Sequence, residues 1–378
     1  MPSPSGTKGP TIIEAEPLKP YTTFKIGGPA RYFAIANSME EIRGVANLAA
    51  QLSLPLFVLG GGSNILVSDA GFDGVVVHPV CRGITILHEN PDTVILDVNV
   101  AEEWDTVVQY AVEHDWWGIE NLSHIPGQAG AALVQNVGAY GQQASEVVES
   151  VRVMDISTGA PHTLTAAECG FGYRRSIFNT SSRGRFVIVG LTLRLAKHGS
   201  SKLDYPDLRA YFQEQSIRQP SLTEIRQAII TIRDRKFPFP REERGGNAGS
   251  FFKNLLLGEA EYSALHEMLG RNFAPKDLTR LEEMRNRFPT RDRIKIPTAF
   301  LIEICGLKGQ RVGGAQVNET QPLVLLNQGG ATAQDVIALA QHVRTTVRAR
   351  TGMTIAIEPE LVGFTPQELA AMNKDDRC

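Results

Sequence analysis

At 378 residues the chain is too long for one ordinary domain and fits two or three. With 42% hydrophobic and 21% charged residues it reads as an ordinary globular protein. A formal net charge of -3 argues against a binder of bulk nucleic acid, which needs a basic excess. No stretch approaches the roughly 20 apolar residues of a membrane span. Residues 1–10 have no apolar core of a secretory signal, so a flexible arm is expected there. Cys81, Cys169, Cys305 and Cys378 are scattered without a CxxC spacing, which predicts buried reduced thiols. The eight histidines form no HxxH or HExxH pattern, so no metal site is expected.

Short strands alternate with helices along the chain. Residues 32–36 read as a strand. Ser38 and Glu41 then form a capping box for a helix reaching about residue 51. Strands are expected at 56–59, 65–67, 75–78 and 93–100. Trp104, Val107, Val108, Ala111 and Val112 recur at helical spacing. Residues 151–155, 171–173 and 185–195 are strand-like, and 196–220 are polar with little periodicity. A second capping box, Ser221 and Glu224, opens a helix to about residue 235. The prolines at 238 and 240 end it and mark a domain boundary. Beyond lie a helix near 259–269, a charged stretch at 270–295 read as solvated surface, and strands near 312–317 and 322–327. A helix over 332–350 carries Val336, Leu339, Ala340, Val343 and Val347 on one face, and residues 354–357 form a last strand.

Five segments could carry chemistry. Leu59-Gly60-Gly61-Gly62-Ser63-Asn64-Ile65 lies between apolar strands. Its glycines let backbone N–H groups converge on an anion such as a pyrophosphate, although a tight turn is the plainer reading. It lacks the features of a Rossmann or Walker loop. Residues 125–141, IPGQAGAALVQNVGAYG, hold four glycines and four alanines. So little side-chain volume suits either a large flat cofactor or close helix–strand packing. Two such segments without a metal motif point to a dinucleotide. In Gly172-Tyr173-Arg174-Arg175-Ser176 two arginines could fork a carboxylate or phosphate, or could lie solvated on a surface strand. Residues 245–254, GGNAGSFFKN, place Ser250 between a glycine turn and two aromatics. That serine is a proton donor, a ligand contact or part of a structural turn. It is not in a nucleophile elbow. Glu358-Pro359-Glu360 sets two carboxylates around a stiff proline, suited to acid–base work or to an exposed strand end.

Taken in order, these segments resemble the UDP-N-acetylenolpyruvoylglucosamine reductases, from about Tyr21 to Gly363. The resemblance implies an α+β fold. A two-lobed FAD-binding domain of the vanillyl-alcohol-oxidase type is joined to a separate α+β substrate domain. The divisions expected are an arm at 1–15, lobe 1 at 16–85, lobe 2 at 86–200, and a lid loop with connecting helix at 201–235. A UDP-sugar domain at 236–353 and a terminal strand and tail at 354–378 complete them. The implied cofactor is FAD, with NADPH as co-substrate. The implied substrate is UDP-N-acetylglucosamine enolpyruvate, reduced in the cytoplasm by a monomer with no nucleic-acid or membrane partner.

By position, Arg174, Ser250 and Glu360 match the family's catalytic residues. Gly60, Gly61, Gly62, Ser63, Asn64, Ile125, Pro126, Gly127, Gly130, Gln135, Asn136, Gly138, Tyr140, Gly141 and Ile188 match cofactor positions. Tyr205 looks like the tyrosine of a substrate lid, and Lys236, Asn254 and Gln321 match substrate contacts. Two departures stand out. Val362 replaces an arginine that many members place near the flavin phosphates, and residues 258–296 are longer and more charged than the family pattern. A sugar or alcohol oxidase on the same fold would share the glycine segments but not GNAGSFFKN with EPE. A flavin-binding regulator without catalysis would not need Arg174, Ser250 and Glu360 together.

Overall fold

Apolar side chains alternate along residues 93–99, and that alternation buries Val94, Leu96 and Val98 on one face of a strand. The strand belongs to a computed structural model that describes residues 10–236, 245–285, 287 and 293–372. Two compact units emerge. The first takes residues 29–61 and 72–234 with the N-terminal segment to Glu16; the second takes 17–28, 62–71 and everything from Arg235. Residues 17–28 and 62–71, expected in lobe 1, thus cluster with the C-terminal part of the chain.

Among the described residues the first unit holds one small hairpin and two larger sheets. One has the strand order Ile12–Pro17, Pro29–Ala36, Phe72–Pro79, Leu56–Val58. Its last three strands run parallel. The Met39–Gln51 helix makes the crossover and buries Ile42, Val45, Ala46 and Ala49 against them. Residues 12–15, expected in a flexible arm, are therefore part of a strand. Ser38 accepts the Glu41 N–H as expected, but the Glu41 carboxylate reaches past Ser38 to the Asn37 N–H, so the box is closed one residue early.

The second sheet is antiparallel, in the order Pro161–Thr165, Val148–Asp155, Phe186–Ala196, Thr93–Asn99, Ile84–Glu89. The Trp104–Glu113 and Ala129–Val134 helices share a core with its inner face. Residues 171–173 form no strand. Gly172 and Arg175 exchange backbone hydrogen bonds and close a tight turn. The polar 196–220 segment contains a helix, Pro206–Glu214, whose Leu208 and Phe212 pack with Ile225, Ala228 and Ile229 of the Leu222–Lys236 helix. Both halves of the Ser221–Glu224 box form. The prolines expected to end that helix lie outside the described residues.

In the second unit the long Ala333–Thr351 helix forms the centre of one core. Thr332 and Asp335 cap its start, and Gly352, at φ 73°, ends it. Around it lie the Glu259–Asn272, Pro275–Arg285, Thr298–Ile304 and Pro366–Met372 helices and, among the described residues, three small sheets. The charged 270–295 stretch is more than surface, because Leu281 of the Pro275–Arg285 helix is fully buried. Residues 354–357 make one isolated bridge, Ile357 to Phe252, and the last strand is Glu360–Val362, parallel to Ile65–Val67. Cys169 and Cys305 are buried free thiols, and burial pushes both up to about 11. Among the described residues no helix is long and apolar enough to cross a membrane.

Candidate active site

In the first unit the two glycine-rich segments meet backbone to backbone. A Cβ on Gly61 would lie 2.8 Å from the Gly127 Cα, and one on Gly60 would lie 2.9 Å from the Ala131 Cβ. Only glycine permits this approach. The Ile125–Gly130 side of the contact is fixed from below. The Gly127 carbonyl accepts the Trp104 N–H, and the Ala129 and Gly130 N–H groups bond the Glu102 and Val100 carbonyls. A Cβ on Gly130 would strike the Val100 side chain at 2.4 Å, with Ile188 next nearest. Asp105 anchors the entry to the segment. Its carboxylate accepts the His124 N–H at 2.5 Å and a fork of two bonds from Arg226 at 2.6 and 2.9 Å. Burial alone would raise the Asp105 pKa, but the Arg226 and His124 bonds outweigh it and hold the carboxyl below its ordinary value.

The C-terminal part of the segment is a small hairpin, Gly138–Ala139 against Gln142–Gln143. Its turn puts Tyr140 at φ 46° and Gly141 at φ 85°, the two positive angles of a type I′ turn. A tyrosine there is uncommon. Asn136, also at positive φ, donates to the Gly172 carbonyl at 3.0 Å and accepts the Ser145 N–H. It thereby ties the hairpin to the Gly172–Arg175 turn. Arg174 sits in that turn at φ 52° and donates to the Gly138 carbonyl at 3.1 Å. Asn136, Tyr140 and Arg174 are three of the nine non-glycine residues at positive φ among the described residues, and all three are predicted site positions. The Tyr140 ring meets Tyr205 edge to face at 5.2 Å, and burial pushes its hydroxyl up to about 12 against the opposing pull of Arg233. It stays protonated at neutral pH.

Gln135 caps the end of the Ala129–Val134 helix. Ile188 lies where the Phe186–Ala196 strand outruns its neighbour. The Thr93–Asn99 strand pairs with it only from Gly190 onward, so among the described residues 186–189 have no strand on that side. A cavity of about 500 Å³ adjoins that end, lined by Met39, Ile42, Cys81, Asn99, Val100 and Val189 among others.

In the second unit five chain segments interlock. Gly62, at φ 59°, packs so closely that a Cβ would lie 2.0 Å from the Tyr21 carbonyl oxygen, and Thr23 donates its N–H to the Gly62 carbonyl. Ser63 follows, and the Asn64 carbonyl accepts the Glu360 N–H at 3.0 Å. Lys253, Phe252 and Phe251 pair in turn with Ala356, Ile357 and Glu358. Gly245 and Gly246 make the GGNAGSFF approach possible, since a Cβ on either would overlap a backbone carbonyl. The Phe251 N–H bonds the Leu323 carbonyl, bringing in the loop of Gln321, and Thr320 donates to the Lys236 carbonyl. The Asn254 side-chain oxygen accepts the Thr298 N–H and so is partly committed to structure. Val362, the departure noted in the sequence, is only 4% exposed and pairs with Val67.

Several anchoring residues carry no sequence signal. Arg344 is a buried guanidinium that donates to the carbonyls of Ile355 and Met372, steadying the approach to Glu358–Glu360. The pair Asp105–Arg226 spans 121 positions, and Asn121 lies within an unremarked ENLS stretch. Each of these residues has an apolar neighbour on one side and a polar one on the other, so no local pattern marks it.

Comparisons with known proteins agree in order and extent. Residues 240–362 match the family described as UDP-N-acetylenolpyruvoylglucosamine reductase, C-terminal domain, and residues 30–165 match an FAD binding domain. The chain is 36% identical over 362 residues to a UDP-N-acetylenolpyruvoylglucosamine reductase of Burkholderia multivorans, covering 95% of this chain and 99% of that one. It is 34% identical over 346 residues to one of Flavobacterium johnsoniae, covering 91% and 98%. A crystal structure of the enzyme of that name from Thermus caldophilus superposes with a TM-score of 0.61 at 23% identity, over 93% of this chain and 98% of that chain. That likeness supports the fold.

Proposed function

The chain belongs to the UDP-N-acetylenolpyruvoylglucosamine reductase family, and from that premise we propose that it binds FAD and uses NADPH to reduce UDP-N-acetylglucosamine enolpyruvate to UDP-N-acetylmuramate for peptidoglycan synthesis. The observation that carries the reading is the close approach of Gly61 to the Gly127–Gln128 backbone. Backbone walls of this kind present N–H groups to a pyrophosphate at a distance no Cβ would allow. Gly62, Ser63 and Asn64 follow Gly61 in the chain and are assigned to the cofactor as well; Gly130, Gln135, Asn136, Gly138, Tyr140 and Gly141 continue the second wall. Ile125 and Pro126 lead into it, and the open edge at Ile188, beside the 500 Å³ cavity, suits the hydrogen-bonding rim of an adenine.

When bound, FAD supplies the redox chemistry, relaying a hydride from NADPH to the terminal carbon of the enolpyruvyl double bond. The remaining work falls to side chains. Electron density displaced by the hydride builds on the carbon bearing the carboxylate. Arg174 is assigned to meet that carboxylate with a fixed positive charge, and Glu360 to hydrogen-bond the developing enolate. Ser250 Oγ–H gives the proton that completes the saturated product, and solvent returns a proton to the serine. Lys236, Asn254 and Gln321 hold the UDP-sugar, and Tyr205 covers it. The reading extends to a cytoplasmic monomer, in which one chain carries every assigned residue.

An anaerobic titration tests the reading. The purified protein is expected to be yellow, to bleach on one equivalent of NADPH, and to recover its colour on adding the enolpyruvyl UDP-sugar. Bleaching that is reversed only by oxygen would refute it.

A further inference from the structure

Glu120, Asn121 and Gln142 form a buried polar chain beneath the Tyr140 turn, with exposures of 1%, 0% and 2%. The Glu120 carboxylate accepts the Gly118 N–H at 2.7 Å and the Gln142 side-chain N–H at 2.7 Å. Gln142 in turn accepts the Asn121 backbone N–H at 2.8 Å. With its backbone fixed, Asn121 aims one nitrogen at two carbonyls. Nδ2 donates to the Tyr140 carbonyl at 2.8 Å and to the Lys202 carbonyl at 2.9 Å. Its Oδ1 accepts nothing from the described residues, so the side chain's contribution is that double donation.

The two carbonyls belong to different segments. Tyr140 turns the hairpin of the second glycine segment. Lys202 lies three residues before Tyr205, in the irregular loop that leads to the Pro206–Glu214 helix. The rings those segments carry meet edge to face. The loop also rests on Trp117, against which Gly199 lies flat, on Leu203 packed at the Tyr140–Leu208 cluster, and on an exposed Lys202–Glu146 ion pair worth little in water. Among the standard side chains of this length, a carboxamide alone offers two N–H donors on one atom.

We propose that Asn121 is a positioning residue that sets the Tyr205 loop in register with Tyr140, and so fixes the cover over the uridine diphosphate. The inference rests on the reading of Tyr205 as a lid, and a double-mutant cycle keeps the two apart. Asn121→Ala is expected to raise the KM for the enolpyruvyl UDP-sugar about tenfold, as loss of two buried bonds would. Flavin reduction by saturating NADPH should change less than about twofold. In a Tyr205→Ala background the same substitution should shift KM less than about twofold, because the element it positions is gone. Equal factors in both backgrounds, or an equal loss in flavin reduction, would overturn the role of Asn121. Tyr205→Ala with unchanged KM would instead defeat the lid reading. Asn121→Asp keeps the volume but removes the double donor, and reads the same cycle should the alanine variant not fold.

Discussion

Substituting Gly61 by alanine tests the cradle directly. The added Cβ would lie 2.8 Å from the Gly127 Cα, 3.2 Å from the Gln128 nitrogen and 3.4 Å from the Gly127 carbonyl carbon. All three are backbone atoms, so no side chain can swing away. Ordinary contact begins near 3.4 Å, so the two turns must part by roughly half an ångström or more. Overpacking of this kind costs about 1–3 kcal/mol. If the turns together grip the pyrophosphate, most of that loss falls on the cofactor. The apparent Kd for FAD should then rise about 10- to 100-fold, since 1.4 kcal/mol is tenfold. The control is Gly184→Ala. Gly184 sits at φ 75° with nothing within 4 Å of its Cβ position, so alanine there strains the backbone without touching the cradle. Fluorescence titration of the apoprotein with FAD reads both variants, and thermal melts of the apoproteins report stability separately. A Gly61→Ala protein that binds FAD within twofold of the parent would refute the cradle argument.

Three further outcomes follow from other parts of the structure. Ser250→Ala should slow the substrate half-reaction about 10²–10⁴-fold while flavin reduction by NADPH stays near normal, as read by stopped-flow absorbance; equal slowing of both halves would remove Ser250 from the proton step. Asp105→Asn should destabilise the protein by about 2–4 kcal/mol at neutral pH, because it leaves the largely buried Arg226 without its anion. The Asp105 carboxyl is held below its ordinary value in the fold, so its contribution is full above that value and fades as pH falls through the depressed one. Melting temperatures of parent and variant should therefore converge below about pH 4, and a constant gap down to pH 2 would contradict the assignment. Arg344→Lys should lower stability by about 1–3 kcal/mol, since an ammonium cannot span the Ile355 and Met372 carbonyls as the guanidinium does; an unchanged denaturation midpoint would show the clamp to be idle.

The elements read best from sequence were those whose period matched their burial. The Trp104–Glu113 and Ala333–Thr351 helices present one apolar face each, and that face is the one buried. The Pro206–Glu214 helix escaped notice because only Leu208 and Phe212 mark its inner side, and a polar, short helix leaves too weak a period. The strand expected at 354–357 was displaced to Glu360–Val362 because pairing with Ile65–Val67, a distant partner, decided where the ladder forms. Arg174 was legible as a cation beside an aromatic, but its strained turn and its bond to Gly138 were not.

Composition, order of motifs and glycine content by themselves determined the family, the cofactor class and the residues worth naming, because a missing Cβ is a local property that can be read one position at a time. Which glycine wall faces which, how Asn64 comes beside Glu360, and why Asn121 grips two carbonyls were decided only by the tertiary structure. Those are hydrogen bonds and close approaches between positions up to hundreds of residues apart, and no local propensity encodes the partner of a buried polar group.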